Sequence, residues 1–554
     1  MPRIIIHFSA ALALSLTLIS AAPASAAGFQ PPTTVSAPGA TQQQVAINAQ
    51  GAAVIVWRRH GGTYPVIQAR RRSAAGVYGP VTTLSPALPD TSQPRVAINR
   101  AGDVFVVWSA NVSGNWRVYA RVWPANGAAG AFKLLYAPGV MPERANPDVA
   151  VGDSGPAVVV WQGRIPDPVQ IRIMTRTIAL DGALGSIAHL SNLGGLRTPA
   201  NAGNPHVTVA PNGAGLVVWE IGYNSYDKEI QARLRATNGS WGPIQQLTPA
   251  TDCPPNSCGD WNEAPEAAIN ARGDALVAWR HFAGSYGGPL PTNASTVLGR
   301  FRPFGGGFAP VQRLSAAPGA GMHIRSPRVG VDRNGGALVV WGRHDTNVFP
   351  ATAQVQARAR GLSGALGPIQ NLSPVGDPTA SPDFLGLRLA MNPSAYTVVV
   401  WHMRRASCNC GGVFARVRLV NGSWAIVQNL SPPAAEELNP VVGVNPVGTA
   451  LAAWLGPYPN PELSTYIKAA VSPNSAPTIT ITTPADGANY ARGSRIAASY
   501  SCADPGGPGI RSCVGTVPNG APIDTSASGV HGFTVNAADL AGNVATRTVH
   551  YTVP

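Results

Sequence analysis

The chain has 554 residues, 45% of them apolar and only 12% charged. That is apolar enough to build several cores and too apolar for a disordered polyelectrolyte. Glycine (61) and proline (52) favour many short strands and turns over long helices. The formal charge is +14, carried by 37 arginines and three lysines (Lys133, Lys228, Lys468). These arginines are scattered and form no basic run, which argues against nucleic acid as partner. An acidic glycan or wall polymer stays compatible with the charge.

The first 26 residues read as an export signal. Arg3 supplies the positive end, residues 4–19 the apolar stretch, and Ala24-Ser25-Ala26 the cleavage site. No later stretch reaches the roughly 18 apolar residues of a membrane-spanning helix. A secreted, monomeric protein is the expectation. Export makes the six cysteines disulfide candidates in three local pairs: Cys253/Cys258, Cys408/Cys410 and Cys502/Cys513. The Cys408-Asn-Cys410 ring would be strained, which leaves a partner elsewhere open. Zinc shared by the first two pairs is the rival reading.

Residues 27–475 are organised by an internal repeat. An apolar strand, a small turn and a second apolar strand ending in Trp recur, as in Val96 to Trp108 and Val329 to Trp341. The motif tryptophans are Trp57, Trp108, Trp161, Trp219, Trp279, Trp341, Trp401 and Trp454, spaced 51 to 62 residues apart. A third strand alternates apolar residues with Arg (Ile67 to Arg72, Ile230 to Arg235). A fourth ends in Leu-Ser or Leu-Thr, as at Leu84-Ser85 and Leu247-Thr248. Four strands per repeat of about 55 residues is the pattern of a β-propeller blade.

The eighth copy stops after three strands, and Pro32 to Pro38 resembles the missing fourth. The expected fold is therefore all-β: an eight-bladed propeller closed by its N-terminal strand. Seven blades with one irregular copy is the alternative.

Residues 476–554 read as a separate small β unit. Thr483-Pro-Ala-Asp-Gly487 and Ala538-Asp-Leu-Ala-Gly-Asn543 make it resemble the immunoglobulin-like domains appended to bacterial secreted proteins. The resemblance implies a β-sandwich used as a spacer or adhesive unit.

In a blade, the turns between strands one and two and between three and four share one face. Here both are short. The connections after each Trp and between blades fall on the other face and are long, so a specific site is expected there. The eight motif tryptophans are assigned to the core, and Trp241 and Trp424 to packing. Trp116 and Trp261 have no counterparts in other copies and are candidate ligand-stacking residues. Arg59, His60, Arg280, His281, Arg343 and His344, with His402, Arg404 and Arg405, recur just after the Trp. Aimed at the axis they would form a cationic ring for carboxylate or sulfate. Asp252, Asp260, Asn262 and Glu263 offer oxygens for Ca²⁺ in one loop; no other cofactor is expected.

No Gly-x-Ser-x-Gly, His-Glu-x-x-His or Gly-x-Gly-x-x-Gly occurs. Arg164-Ile-Pro166 resembles the Arg-Ile-Pro of bacterial sialidases, which would imply that Arg164 holds a substrate carboxylate. The Ser-x-Asp-x-Gly-x-Thr-Trp repeats of that family are missing from every copy. The leading expectation is a binding or adhesion module for an extracellular glycan or protein. A propeller glycan hydrolase or lyase is the alternative, and a structural extracellular protein comes third.

Overall fold

Runs such as Ala-Val-Ile-Val-Trp (53–57) and Leu-Val-Val-Trp (216–219) are β-branched or bulky at nearly every position, as strands covered on both faces require. In the computed structural model these runs form the second strand of successive four-stranded antiparallel sheets. The described residues are 28–137, 144–166, 169–192, 201–222, 228–248, 261–282, 295–317, 322–345, 352–374, 386–405, 410–431, 437–456, 465–505 and 507–554. They contain strands and turns and no helix.

Ala40–Ile47, Ala53–Arg59, Val66–Arg72 and Tyr78–Thr83 make the first sheet, paired in chain order. The same order repeats along the chain. It runs through the sheets led by Arg95–Ile98, Asp148–Ala150, Asn201–Val209, Trp261–Ile269, Met322–Val331 and Arg388–Met391. The last sheet is assembled from both ends of the repeat region. Leu438–Val444, Ala450–Leu455 and Ile467–Ser472 are joined by Thr33–Thr34, whose partners are Ala469 and Lys468.

First strands pack on first strands around a common axis, and Ala40–Ile47 packs against Leu438–Val444. The architecture is a β-propeller. Its core lies between sheets. Val54 and Val56 face the second sheet, packing with Val104, Val106 and Trp108, while Ile55 and Trp57 face the last one. Every motif Trp is fully buried. Trp241 and Trp424 pack as expected, and Trp424 Nε1 donates to Gln370 Oε1 at 2.9 Å.

The third-strand arginines, which alternation with apolar residues turns outward, tie sheets together. Arg233 Nε donates to Gly242 O at 2.6 Å within its sheet, while Nη1 reaches His189 O (3.2 Å) and Leu190 O (3.4 Å) of the preceding one. Arg121, Arg176, Arg300, Arg358 and Arg416 repeat the arrangement. Arg70 applies it to the seam, with Nε to Gly79 O and Nη1 to Val35 O of the N-terminal segment. Only a guanidinium donates in two fixed directions, which explains why these positions are Arg and not Lys. The Leu-Ser slot secures the third strand in turn. The side-chain oxygens of Ser85, Ser191, Thr248 and Ser36 each accept a backbone N–H of that strand, at 2.8 to 3.1 Å.

Residues 478–553 form a second unit. Thr478–Thr483 pairs with Ser499–Ala503, and Ala488–Asn489, Val544–Val553, Gly529–Asp539 and Ile510–Gly515 make a second sheet. Between them lie Ile479, Ile481, Phe533, Val535, Val549 and Tyr551. Cys502 and Cys513 form a disulfide. Cys253, Cys258 and Cys408 lie outside the described residues, as does the Cys410 side chain. The unit docks on the short-turn face. Asn392 Nδ2 donates to Ala541 O (3.4 Å), Asn543 Nδ2 to Val447 O (2.8 Å) and Val420 N to Leu540 O (3.1 Å). No helix among the described residues is long and apolar enough to cross a membrane. The export segment 1–26 lies outside them.

Candidate functional site

Several first strands begin with a kink. The register against the second strand shifts at Thr41/Gln44, Gly203/His206, Glu263/Glu266, Arg325/Arg328 and Leu438/Val441. Gln42, Asn204, Ala264 and Asn439 take positive φ inside these bulges (49° at Asn204). A bulge re-aims the residue that follows it. The following residue faces the one just before the motif Trp. In chain order it is Gln44, Arg95, Asp148, His206, Glu266, Arg328, Arg388 and Val441. First strands surround the axis, so these residues form one level of the central channel.

The level is a chain of opposite charges. Arg95 Nε lies 4.0 Å from Asp148 Oδ1, and His206 Nδ1 lies 3.0 Å from Asp148 Oδ2. His206 Nε2 is 3.8 Å from Glu266 Oε2, and Arg328 is ion-paired and hydrogen-bonded to Glu266 Oε1. Asp148 also accepts Val207 N at 3.0 Å. Burial alone would lower the His206 pKa; the Glu266 and Asp148 carboxylates overcome it and push it up to about 9. His206 is therefore a cation at neutral pH. Burial opposes ionisation of Asp148 too, yet His206, Arg95 and the Val207 N–H hold it below the usual carboxylate range.

Toward the long-loop face the channel opens into a polar cavity of about 530 Å³, lined by Arg95, Asp148, His206, Glu266 and Arg328 and by residues further out. Glu220 is buried there, accepting from Asn204 Nδ2 (3.1 Å), Lys228 Nζ (3.2 Å) and Ala264 N (2.9 Å). Glu263, Arg144 and Asn146 complete much of the rim. Below the charged level the side chains are mostly apolar: Ala46, Ile47, Ile98, Val151, Val209 and Met391, with His206 and Thr208, line a second cavity of about 360 Å³.

The residues singled out from the sequence lie elsewhere, or are already engaged. Trp116 is in the third strand Asn115–Trp123, only 7% exposed, in the core between the second and third sheets, with Arg144 over its ring. A solvent-side ring is not what this chain builds, because the strand runs on past the expected loop. Trp261 opens the first strand of its sheet, stacked on Phe282 (5.1 Å between centroids) with Lys228 Nζ 5.4 Å from its ring.

Among the described side chains, the Arg and His residues after the Trp form no ring around the axis. Arg280 pairs with Glu263 across its own strand pair, and His281 Nδ1 lies 3.0 Å from Asn262 Oδ1. Arg343 bonds Asp345 at 3.0 Å, and His344 is buried against His323. Arg59 Nε donates to Pro38 O at 3.5 Å, and His60 is exposed. His402 is buried, and the side chains of Arg404 and Arg405 lie outside the described residues.

Of the Ca²⁺ candidates, Asp252 and Asp260 lie outside the described residues. Asn262 Oδ1 accepts Trp279 Nε1 at 2.9 Å, and Glu263 Oε1 is ion-paired with Arg280. Arg164 sits in a second strand, its carbonyl accepting the Tyr136 hydroxyl, away from the charged level.

No known family profile matches the chain, and no curated protein matches it. Solved structures with a similar fold include an ulvan lyase of a new polysaccharide lyase family (8% identity, 79% of this chain and 95% of that chain, TM-score 0.40). Two others are the β-propeller domain of the Trilobed protease from Pyrococcus furiosus (7%, 72% and 97%, 0.37) and an α-L-arabinanase from Penicillium chrysogenum (15%, 56% and 87%, 0.36).

Proposed function

We propose that this chain is an exported eight-bladed propeller with a C-terminal immunoglobulin-like domain, and that it recognises an extracellular glycan at the channel mouth. The observation that supports this reading is the cavity on the long-loop face. Its walls carry amides and charged groups of both signs from several sheets, the lining that hydroxyl-rich ligands need. The short-turn face is partly taken by the C-terminal unit, which leaves the opposite face for a ligand.

A second reading, a glycan hydrolase or lyase at the same mouth, is favoured by one feature. Asp148, Glu220, Glu263, Glu266 and His206 bring acid–base side chains to a single cavity. Against it, each of these carboxylates has a cationic partner, and His206 is held protonated. A polysaccharide panel read for both binding and released product tests the two. Binding that Asn204→Ala with Lys228→Ala abolishes, without product, supports recognition. Product formation selects the enzyme, and neither signal on any glycan sinks both.

A further inference from the structure

The charged level of the channel does not balance. Among the described residues of this level, Arg95, His206, Arg328 and Arg388 face two carboxylates, Asp148 and Glu266. Asp148 is shared by Arg95 and His206, and Glu266 by His206 and Arg328. Arg388 is left without a carboxylate among the described residues. Its Nη1 donates to the carbonyl of Leu387 (2.9 Å), and that same oxygen accepts Arg328 Nε (3.1 Å). Two guanidinium groups thus converge on one neutral oxygen. Burial, then the charges of Arg328 and Arg95, push the Arg388 pKa down to about 9, with Glu266 opposing. A guanidinium does not give up its proton in a protein, so this strain is electrostatic and is relieved by an added negative charge. At the same level Gln44 Nε2 is buried with no acceptor among the described residues.

We propose that Arg388, Arg328 and Gln44 form an anion seat below the mouth, which takes the carboxylate or sulfate group of an acidic saccharide. The two guanidiniums meet at Leu387 O, and Gln44 shares their level two sheets on; together they would give several donors to one oxyanion, the arrangement that binds planar or tetrahedral oxyanions firmly. The mostly apolar channel beyond offers the anion no further cationic partner apart from His206 and disfavours its passing deeper. This deepens the glycan reading and rests on it for the sugar, though not for the anion.

The test is a thermal-shift and calorimetric series on the full chain at constant ionic strength. The probes are glucuronate, galactose 6-sulfate, glucose, acetate and inorganic sulfate. Wild type is expected to bind at least one charged sugar tenfold or more tighter than glucose. Whether glucuronate or the sulfated sugar leads identifies the anion. Arg388→Met should melt no lower than wild type without ligand, since it removes a half-buried cation with no carboxylate partner among the described residues, and should lose the tenfold preference. Arg388→Lys should restore part of it. Gln44→Leu is a second, electrically neutral probe and should weaken the charged sugar several-fold. Acetate or sulfate that stabilises wild type but not Arg388→Met, with no sugar bound, keeps the seat and discards the glycan. Equal affinity for charged and neutral sugars, with no response to either simple anion, overturns the seat.

Discussion

His206 Nδ1 stands 3.0 Å from Asp148 Oδ2 across the boundary between two consecutive sheets, and each residue sits at the same register position of its own first strand. The pair is one link of a chain running from Arg95 to Arg328, so charge adds to the few backbone bonds between sheets, such as Asp153 N to Pro211 O at 2.9 Å.

This link predicts a pH dependence of stability with a definite sign. The folded His206 pKa, about 9, lies above its unfolded value near 6.5. Its stabilisation is fully present below about pH 6.5 and is lost as the pH rises through about 9. Asp148 has a lowered folded pKa, so its share is present above about pH 4 and is lost as the pH falls through the folded value. Melting curves of wild type and His206→Gln should therefore differ most near pH 6 and converge toward pH 10. A difference that is constant from pH 6 to 10 would show that His206 is not the charged partner.

How much of this was legible in the sequence differs between the blades and the site. Trp, the Leu-Ser slot and the third-strand Arg recur because each meets the same neighbour in every sheet, and recurrence is visible in one chain. The pairing of Thr33 and Thr34 with the last sheet follows from the same signal. The site escaped for the opposite reason. Gln44, Arg95, Asp148, His206, Glu266, Arg328 and Arg388 share a slot but not a chemistry, so no single residue type marks it in every copy. A signal existed: proline precedes the slot at Pro94, Pro147, Pro205, Pro265 and Pro327. Starting the strand at the apolar Val96 or Val329 skipped the charged position by one residue. The order +, −, +, −, + appears only when those columns are read around a closed ring. The residues after each Trp recur too, but they face their own first strand, which a single-strand pattern does not reveal.

The inter-sheet arginines should resist conservative exchange. Arg233→Lys keeps the charge but loses either the bond to Gly242 O or those to His189 and Leu190. Hydrogen bonds from charged donors contribute about 1.5–3 kcal/mol each, so a loss of about 2 kcal/mol is expected from urea unfolding. The same exchange at the exposed position Arg492, whose Nε donates to Ser526 O, should cost well under that. Equal costs at the two positions would mean that the fork geometry is immaterial.

Closure of the ring makes the N-terminal segment part of the last sheet. Val35 is 1% exposed, Val35 N donates to Ile467 O at 2.8 Å, and Ser36 Oγ accepts Ile467 N at 2.8 Å. Arg70 reaches back to Val35 O. Removing residues 29–38 strips these bonds and opens an unpaired strand edge along Ile467–Ser472. The truncated chain should melt lower and be cut first by proteases within 437–472. An unchanged melt would refute closure by this strand.

Burial separates a packing tryptophan from one beside the mouth. Trp116 was expected on the solvent side, yet it fills the core with Val107, Val118 and Trp161 and is 7% exposed. Trp116→Ala should therefore resemble Trp219→Ala, which empties a fully buried slot. Both should lose roughly 3–5 kcal/mol, the usual cost of removing a core aromatic of this size. Trp261 is only partly buried, and its ring carries Lys228, whose ammonium pairs with Glu220 at 3.2 Å on the cavity wall. Trp261→Phe keeps most of the stacking on Phe282 while changing the platform under Lys228. Its melting temperature should stay within a few degrees of wild type, and affinity for any glycan found at the mouth should fall several-fold. Urea denaturation of the three variants, with one binding isotherm each, makes the comparison. If Trp116→Ala unfolds as wild type does and Trp261→Phe binds normally, then the burial of the first and the position of the second are both misassigned.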